Sequence, residues 1–497
     1  MVEPPGGAVD VLERIDPRLA ERARQGARWV RDQHAAGRAV TVVHHIDGDG
    51  VTAGAIAMEA LERAGVSARP VAAKSLDDVH VSAIQDGGHE ALWFCDFGST
   101  AYMHFDAPRL VCDHHQLVRD GHEEDFPHVN PLLDDLSGED ISGAGCAFLV
   151  ALALDAANVD LLPVALVGAT ADLQDRHGGF EGPNAAFIDA GREAGLIASD
   201  VELAFFGCQT RPLRKYLAYA DVAVPGATGD QRSAEAFLTG LGIDLRAGSK
   251  ERTWADLDDD ERRRIRSGLV ARMIDCGLDP TPLWAPQVQI LAEAPGSPVR
   301  ELKEFGTLLN STARYDEPAV GLAVARGDRD AAYQEALTLR DDHKKHLVKS
   351  LDAFGKVGVQ EMTAVQWAHL EDHVRDTVVG IVCGMALEGL GLRRDVPLIG
   401  FAHTPDGRTK VSSRSPHELR GRIDLATAMR TGAAAVGGQG GGHEGAAGAT
   451  IPRGSEDAFL RVVDGVVADQ LGLGPAVAPA PEPVGFAVQG RGQARLF

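Results

Sequence analysis

Acids and imidazoles recur where apolar runs end in the first third of this chain. Arg109-Leu110-Val111-Cys112 reads as a buried strand, and Asp113-His114-His115 follow where it stops. Thr41-Val42-Val43 leads into His44-His45-Ile46-Asp47-Gly48-Asp49-Gly50, and Leu92-Trp93-Phe94-Cys95 leads into Asp96-Phe97-Gly98. Open α/β sheets collect ligands at the carboxyl ends of their strands, so three such ends predict one cluster. A fourth carboxylate, Asp172, closes Val164-Ala165-Leu166-Val167-Gly168-Ala169-Thr170-Ala171, a helix so uniformly small and apolar that it must be buried all round. A carboxylate at its end must then be paired or metal-bound. His45, Asp47 and Asp49 alternate, so an extended segment would put them on one side. His114 and His115, as neighbours, would face opposite sides, one toward metal and one toward substrate. Oxygen-rich ligation with some imidazole and no thiolate suits Mn²⁺ or Mg²⁺ better than structural Zn²⁺. Four Asp and two His suffice for two ions sharing one bridging Asp, the arrangement that activates water and neutralises a leaving oxygen in phosphoryl hydrolysis.

Each motif alone has a plainer reading. Asp47-Gly48-Asp49-Gly50 could be a solvated turn, and Asp96 could cap a helix begun by Gly98-Ser99-Thr100. Their convergence is what argues for chemistry.

The elements that would carry these residues follow from pattern. Residues 1–37 read as a charged packing helix stopped by Gly37, followed by a strand and loop over 38–50, a helix over 52–64 and strands over 68–73 and 91–96. Residues 196–325 alternate helical and loop-like stretches, within which Leu309-Asn310-Ser311-Thr312-Ala313-Arg314 sets polar groups in an apolar context. Residues 327–354 read as one long charged helix. A second α/β unit follows, with a helix expected over 372–390 and the alternating strand Lys410-Val411-Ser412-Ser413-Arg414-Ser415. In Gly440-Gly441-Gly442-His443 several backbone N–H groups could face an anion from a loop. The Pro/Ala-rich end, 473–497, reads as a disordered tail.

At 497 residues the chain is long enough for two or three domains. Six cysteines form no CxxC pair, which argues against a zinc ribbon or a disulfide framework and for a reducing cytoplasm. No apolar run reaches the roughly 20 residues of a membrane span, so no membrane partner is expected. Net charge is −23, with nine lysines against forty arginines. That balance is associated with a high-salt cytoplasm such as that of a halophilic archaeon. At high salt, counterion release contributes little to nucleic-acid binding, so acidity reports the solvent more than the ligand.

The four Asp-bearing motifs, ending in Asp113-His114-His115 and Asp172, resemble the DHH phosphoesterase superfamily. Ser412-Ser413-Arg414-Ser415 and Gly440-Gly441-Gly442-His443 resemble its DHH-associated C-terminal domain, and Asn310 to Arg314 with the long helix resembles archaeal RecJ-like exonucleases. The resemblance implies an α/β, two-lobed enzyme: a mostly parallel-sheet DHH domain with a helical insertion (38–325), a linker helix (326–355) and a smaller α/β substrate-binding domain (356–472). It implies His45, Asp47, Asp49, Asp96, His114 and Asp172 as ligands of two Mn²⁺ or Mg²⁺ ions, with Asp96 bridging. Asp113 would orient the site and His115 would face the scissile phosphate. Arg414, Gly440, Gly441, Gly442, His443, Asn310 and Arg314 would bind substrate. The expected activity is single-strand exonuclease action on DNA or RNA, with replication or repair proteins as partners. The alternatives are an oligoribonucleotide or cyclic-dinucleotide phosphodiesterase and, from another class, a non-catalytic replication scaffold.

Overall fold

Residues 11–175, 179–419 and 421–473 are described by the structure, a computed structural model. The expected tail beyond Leu473 and the first ten residues lie outside them. The chain divides into two compact units, Met1–Asp341 and Asp342–Phe497.

In the first unit, β1 (Val40–His45), β2 (Ala68–Ala73), β3 (Ala91–Cys95), β4 (Arg109–Cys112) and β5 (His128–Val129) form a parallel sheet in the order β2-β1-β3-β4-β5. Chain direction across the sheet reverses between β1 and β3, which opens a crevice at their carboxyl ends. Register decides what stands there. His44 pairs with Cys95 and Cys95 with Cys112, so His45, Asp96 and Asp113 leave the sheet side by side at one level.

Helices α1 (Pro17–Ala35), α2 (Gly48–Arg63), α3 (Asp78–Asp86), α4 (Gly143–Leu154), α5 (Leu162–Ala171) and α6 (Gly182–Glu193) accompany this sheet. Almost every residue of α4 and α5 is buried, and both pack on α2. Their uniform burial matches their lack of a polar face.

Next come β6 (Ile197–Leu203), α7 (Leu213–Ala218), α8 (Gln231–Gly240), the two-residue strands β7 (Arg246–Ala247) and β8 (Lys250–Glu251), α9 (Asp259–Asp275) and β9 (Trp284–Ile290). β6 and β9 pair antiparallel from Ile197↔Ile290 to Leu203↔Trp284. They form the stem of an insertion that has its own core around Leu213, Tyr216, Trp254, Ile265 and Leu269. The unit closes with α10 (Leu302–Arg314) and α11 (Pro318–Ala325). The long helix, α12, runs Ala331–Val357, and the boundary between the units falls within it.

The second unit holds β10 (Gln360–Glu361), β11 (Gln366–His369), α13 (Val379–Gly389), β12 (Leu398–His403), β13 (Arg408–Arg414), α14 (Leu425–Ala435), β14 (Gln439–Gly442), β15 (Ala446–Pro452) and α15 (Glu456–Leu471). Its mixed sheet has the order β10-β11-β12-β13-β15-β14.

Four local expectations change. The helix after β1 begins at Gly48, not Thr52, because Asp47 caps it by accepting from Gly50 N at 3.0 Å. Asp49 therefore lies in the first helical turn, and alternation along an extended segment does not place it. Asp96 caps no helix; it adopts φ +68°, a left-handed conformation that Asp tolerates better than most residues. The expected helix over 372–390 is confined to Val379–Gly389. The glycine segment is the edge strand β14, not a loop, and Gly440 to Gly442 pair with Ala449 to Ala447 of β15.

Candidate metal centre

Three strand ends and two helix ends meet at the crevice. His45 Nδ1 lies 3.0 Å from Asp47 Oδ2 and 3.3 Å from Asp96 Oδ2. His114 Nε2 lies 3.4 Å from Asp96 Oδ1, 3.7 Å from Asp172 Oδ2 and 3.8 Å from Asp49 Oδ2. Three overlapping groups could each hold an ion: His45/Asp47/Asp96, Asp49/His114/Asp172 and Asp96/His114/His115. Asp96 belongs to two of them and stands between the other ligands.

Close approach makes this possible. Asp49 is nearly fully buried and accepts from Gly143 N at 2.7 Å and Ala144 N at 2.9 Å, so the start of α4 supplies its hydrogen bonds. A Cβ on Gly143 would stand 2.6 Å from the Asp96 backbone, so only glycine fits there.

Asp113 is buried and both its oxygens are engaged by the chain. Its Oδ1 accepts from His114 N at 2.8 Å, His115 N at 3.1 Å and His115 Nδ1 at 2.9 Å, and its Oδ2 accepts from Ser99 N at 3.0 Å. One buried carboxylate thus sets the turn that presents both imidazoles. The strand ends at Cys112, so strand alternation does not separate them. The two rings lie 4.2 Å apart and both face Asp96, with His115 Nδ1 3.9 Å from its Oδ1.

Burial opposes charge on His45 and His114, yet the surrounding carboxylates hold both well above the ordinary imidazole value. Burial likewise opposes charge on Asp96, but the neighbouring His114, His45 and His115 imidazoles hold it well below the usual carboxylate range. Asp49 is driven well above that range by burial and by neighbouring Asp96. Asp96 Oδ1 and His114 Nε2 are buried without a hydrogen-bond partner. Inward-facing, unsatisfied oxygen and nitrogen atoms amid excess negative charge fit hard divalent cations such as Mn²⁺ or Mg²⁺.

A surrounding network escaped the sequence reading. His114 Nδ1 meets the Gly138 carbonyl at 2.7 Å, which leaves Nε2 facing the carboxylates. Gln174 Nε2 donates to Asp172 Oδ2 at 3.0 Å and to Gly138 O at 3.2 Å, and Asn184 Nδ2 donates to Gln174 Oε1 at 2.8 Å. Asn130 Nδ2 donates to the His115 carbonyl and to Ser99 Oγ, both at 2.9 Å. Lone amides and a loop glycine carry no pattern by which a sequence reveals them. Asp175, just beyond the end of α5, pairs with Lys303 at 3.0 Å.

The other expected site residues lie elsewhere. Asn310, expected to meet substrate, has both ends of its amide engaged: Oδ1 accepts from Gly48 N at 2.9 Å and Nδ2 donates to Ala171 O at 3.2 Å. It bridges the start of α2 to the end of α5. Arg314 is half-buried one turn further along α10. In the second unit, the Arg414 guanidinium lies over α13, where a Cβ on Gly380 would come within 2.6 Å of Nη2, and Nη1 donates to Ser413 O at 2.8 Å. Burial lowers its pKa, and it has no ion-pair partner among the described residues. His443 is exposed in the turn after β14, where its N donates to Ala446 O at 2.9 Å.

Comparison with known proteins agrees with this architecture. Residues 205–283 match the DHH-CID domain and residues 359–469 the DHHA1 domain. An uncharacterized protein of Methanocaldococcus jannaschii is 23% identical over 447 residues, covering 87% of this chain and 94% of that one. RecJ from Thermus thermophilus, solved in complex with Mn²⁺, superposes with a TM-score of 0.55 at 18% identity, over 93% of this chain and 55% of its own. The chain thus spans about half of that protein's length. CDC45 from Entamoeba histolytica superposes with a TM-score of 0.60 at 11% identity, over 88% and 97% of the two chains. Residues 205–283 and 359–469 thus match domains found in DHH proteins, the DHH-CID and DHHA1 domains, within a chain that has a RecJ-like fold.

Proposed function

We propose that this protein is a Mn²⁺- or Mg²⁺-dependent exonuclease acting on single-stranded DNA, with RNA as the second substrate class. The observation that carries the reading is the convergence of His45, Asp47, Asp49, Asp96, His114 and Asp172 around the unsatisfied Asp96 Oδ1 and His114 Nε2. Two divalent ions bound by these residues would activate water and neutralise the leaving oxygen of a phosphodiester. Asp113 holds His115 by its Nδ1, so the ring is oriented through that nitrogen, and His115 would meet the scissile phosphate. Arg414, with its guanidinium seated on α13 and no carboxylate partner among the described residues, suits a substrate phosphate, and Gly440, Gly441, Gly442 and His443 complete the expected phosphate-binding segment.

The likeness to CDC45 favours a second reading, a replication scaffold on the same fold. The full set of carboxylates and imidazoles counts against it, because a scaffold has no need to gather four acids around two histidines, two of them, Asp49 and Asp96, buried.

The test is a time course in Mn²⁺ on 5′- and 3′-labelled single strands of about 5 and about 30 nucleotides, DNA and RNA, beside Asp113→Ala. Degradation of the long DNA strand that is lost in the variant and on chelation is expected, and the labels give the direction. Turnover of short strands alone would point to an oligonucleotide phosphodiesterase. Mn²⁺ binding with no turnover of any strand would favour the scaffold.

A further inference from the structure

Most helix ends in this fold follow one habit; α10 departs from it with Asp316 and α5 with an apolar residue, Leu173. In α1, α2, α3, α6, α8, α9, α11, α13 and α14 the residue after the C-cap is a glycine with φ between +60° and +100°. Glycine suits that position because a Cβ is penalised in the left-handed region. At the end of α5 the C-cap is Asp172 and the next residue is Leu173, with φ +63°. The backbone there is a complete Schellman turn: Leu173 N donates to Thr170 O at 3.0 Å and Gln174 N to Ala169 O at 2.9 Å. Five described non-glycine residues have positive φ, and the other four are Asp or Glu. Leucine has no polar side chain with which to offset the strain.

The side chain gains nothing from the fold in return. Leu173 is 52% exposed and belongs to none of the apolar cores. Its neighbours are Asp172, of the candidate metal centre, and Gln174, whose amide holds both Asp172 and Gly138. A strained, exposed apolar residue is thus clamped in place beside the carboxylate cluster. Local rules that fail without compensation inside the fold are expected at functional positions.

We propose that Leu173 is a substrate contact: its exposed isobutyl group packs against the base of the nucleotide whose phosphodiester reaches the acid–imidazole cluster. The inference rests on the phosphodiesterase reading above and adds to it a preference for phosphodiesters that carry bases.

The test compares wild type, Leu173→Gly and Leu173→Met on an oligothymidylate and on a strand of equal length made of abasic units. Melting temperature and Mn²⁺ affinity are measured on the same samples. Leu173→Gly is expected to melt at or above wild type, bind Mn²⁺ as wild type does, and raise KM for the base-bearing strand about tenfold with kcat little changed. KM for the abasic strand should not move, and Leu173→Met should restore most of the loss. A Leu173→Gly protein that melts below wild type would make the leucine structural and overturn the proposal, as would an unchanged KM on the base-bearing strand. Wild type that cleaves neither strand would instead overturn the phosphodiesterase reading, and this inference with it.

Discussion

Carboxylates are buried together at two places in the first unit, and the two solutions differ. At the crevice, imidazoles and unsatisfied atoms leave room for cations. At the start of α10, Glu301 and Glu304 lie with Cys208, all three nearly fully buried. There the groups are served by the chain itself: Glu301 caps the helix by accepting from Glu304 N at 3.0 Å, and Glu304 accepts from Gln209 N at 2.7 Å and from the Thr210 hydroxyl. Burial, and then the Glu304 charge, push Glu301 up to about 7 from an ordinary value of 4.5. An acid whose folded pKa is raised takes up a proton on folding, so its stabilising effect is full below about pH 4.5 and is lost as pH rises toward about 7. Glu301→Gln keeps an acceptor and removes the titration. It should flatten the pH dependence of urea unfolding across that window by an amount on the order of 3 kcal/mol. Parallel curves for the two proteins would show that Glu301 ionises normally.

At the scale of elements, the centre depends on the start of α2 and the end of α5 meeting at one place. Asn310 of α10 joins them through Gly48 N and Ala171 O. Asn310→Ala leaves a donor and an acceptor unpaired at two ligand-bearing helix ends. It should cost about 1–3 kcal/mol in urea unfolding and weaken Mn²⁺ binding about tenfold by calorimetry. Unchanged Mn²⁺ affinity would limit Asn310 to a purely structural bond. The residues of this segment stood out in sequence as polar groups among apolar ones, but their pattern could not show that the amide turns toward backbone. Apolar strand runs were legible because burial on both faces selects continuous Val, Leu and Phe. The start of α2 was not, because Asp47-Gly48-Asp49-Gly50 reads equally as a turn until the Asp47 cap is seen.

For the whole molecule, divalent cations should act as part of the fold. A ligand that binds only the folded state adds about 2.7 kcal/mol at a hundred times its dissociation constant. Mn²⁺ at that excess should therefore raise the melting temperature, EDTA should reverse the gain, and Asp96→Asn should abolish it. A net charge of −23 repels itself in the folded state, so all samples need equal ionic strength. An Asp96→Asn protein stabilised as much as wild type would place the cation elsewhere.

The α/β class, the parallel strands with acids at their ends and the resemblance to DHH proteins were legible from sequence alone, because those depend on apolar runs and short motifs whose order survives without coordinates. Tertiary structure decided the rest. The level register of β1, β3 and β4 sets His45, Asp96 and Asp113 side by side. The turn after Cys112 brings both imidazoles toward Asp96, the loop residue Gly138 orients His114, and Asn184 of α6 holds Gln174. Such contacts join residues far apart in the chain through single hydrogen bonds. No periodicity records a single bond, so only the folded chain could reveal them.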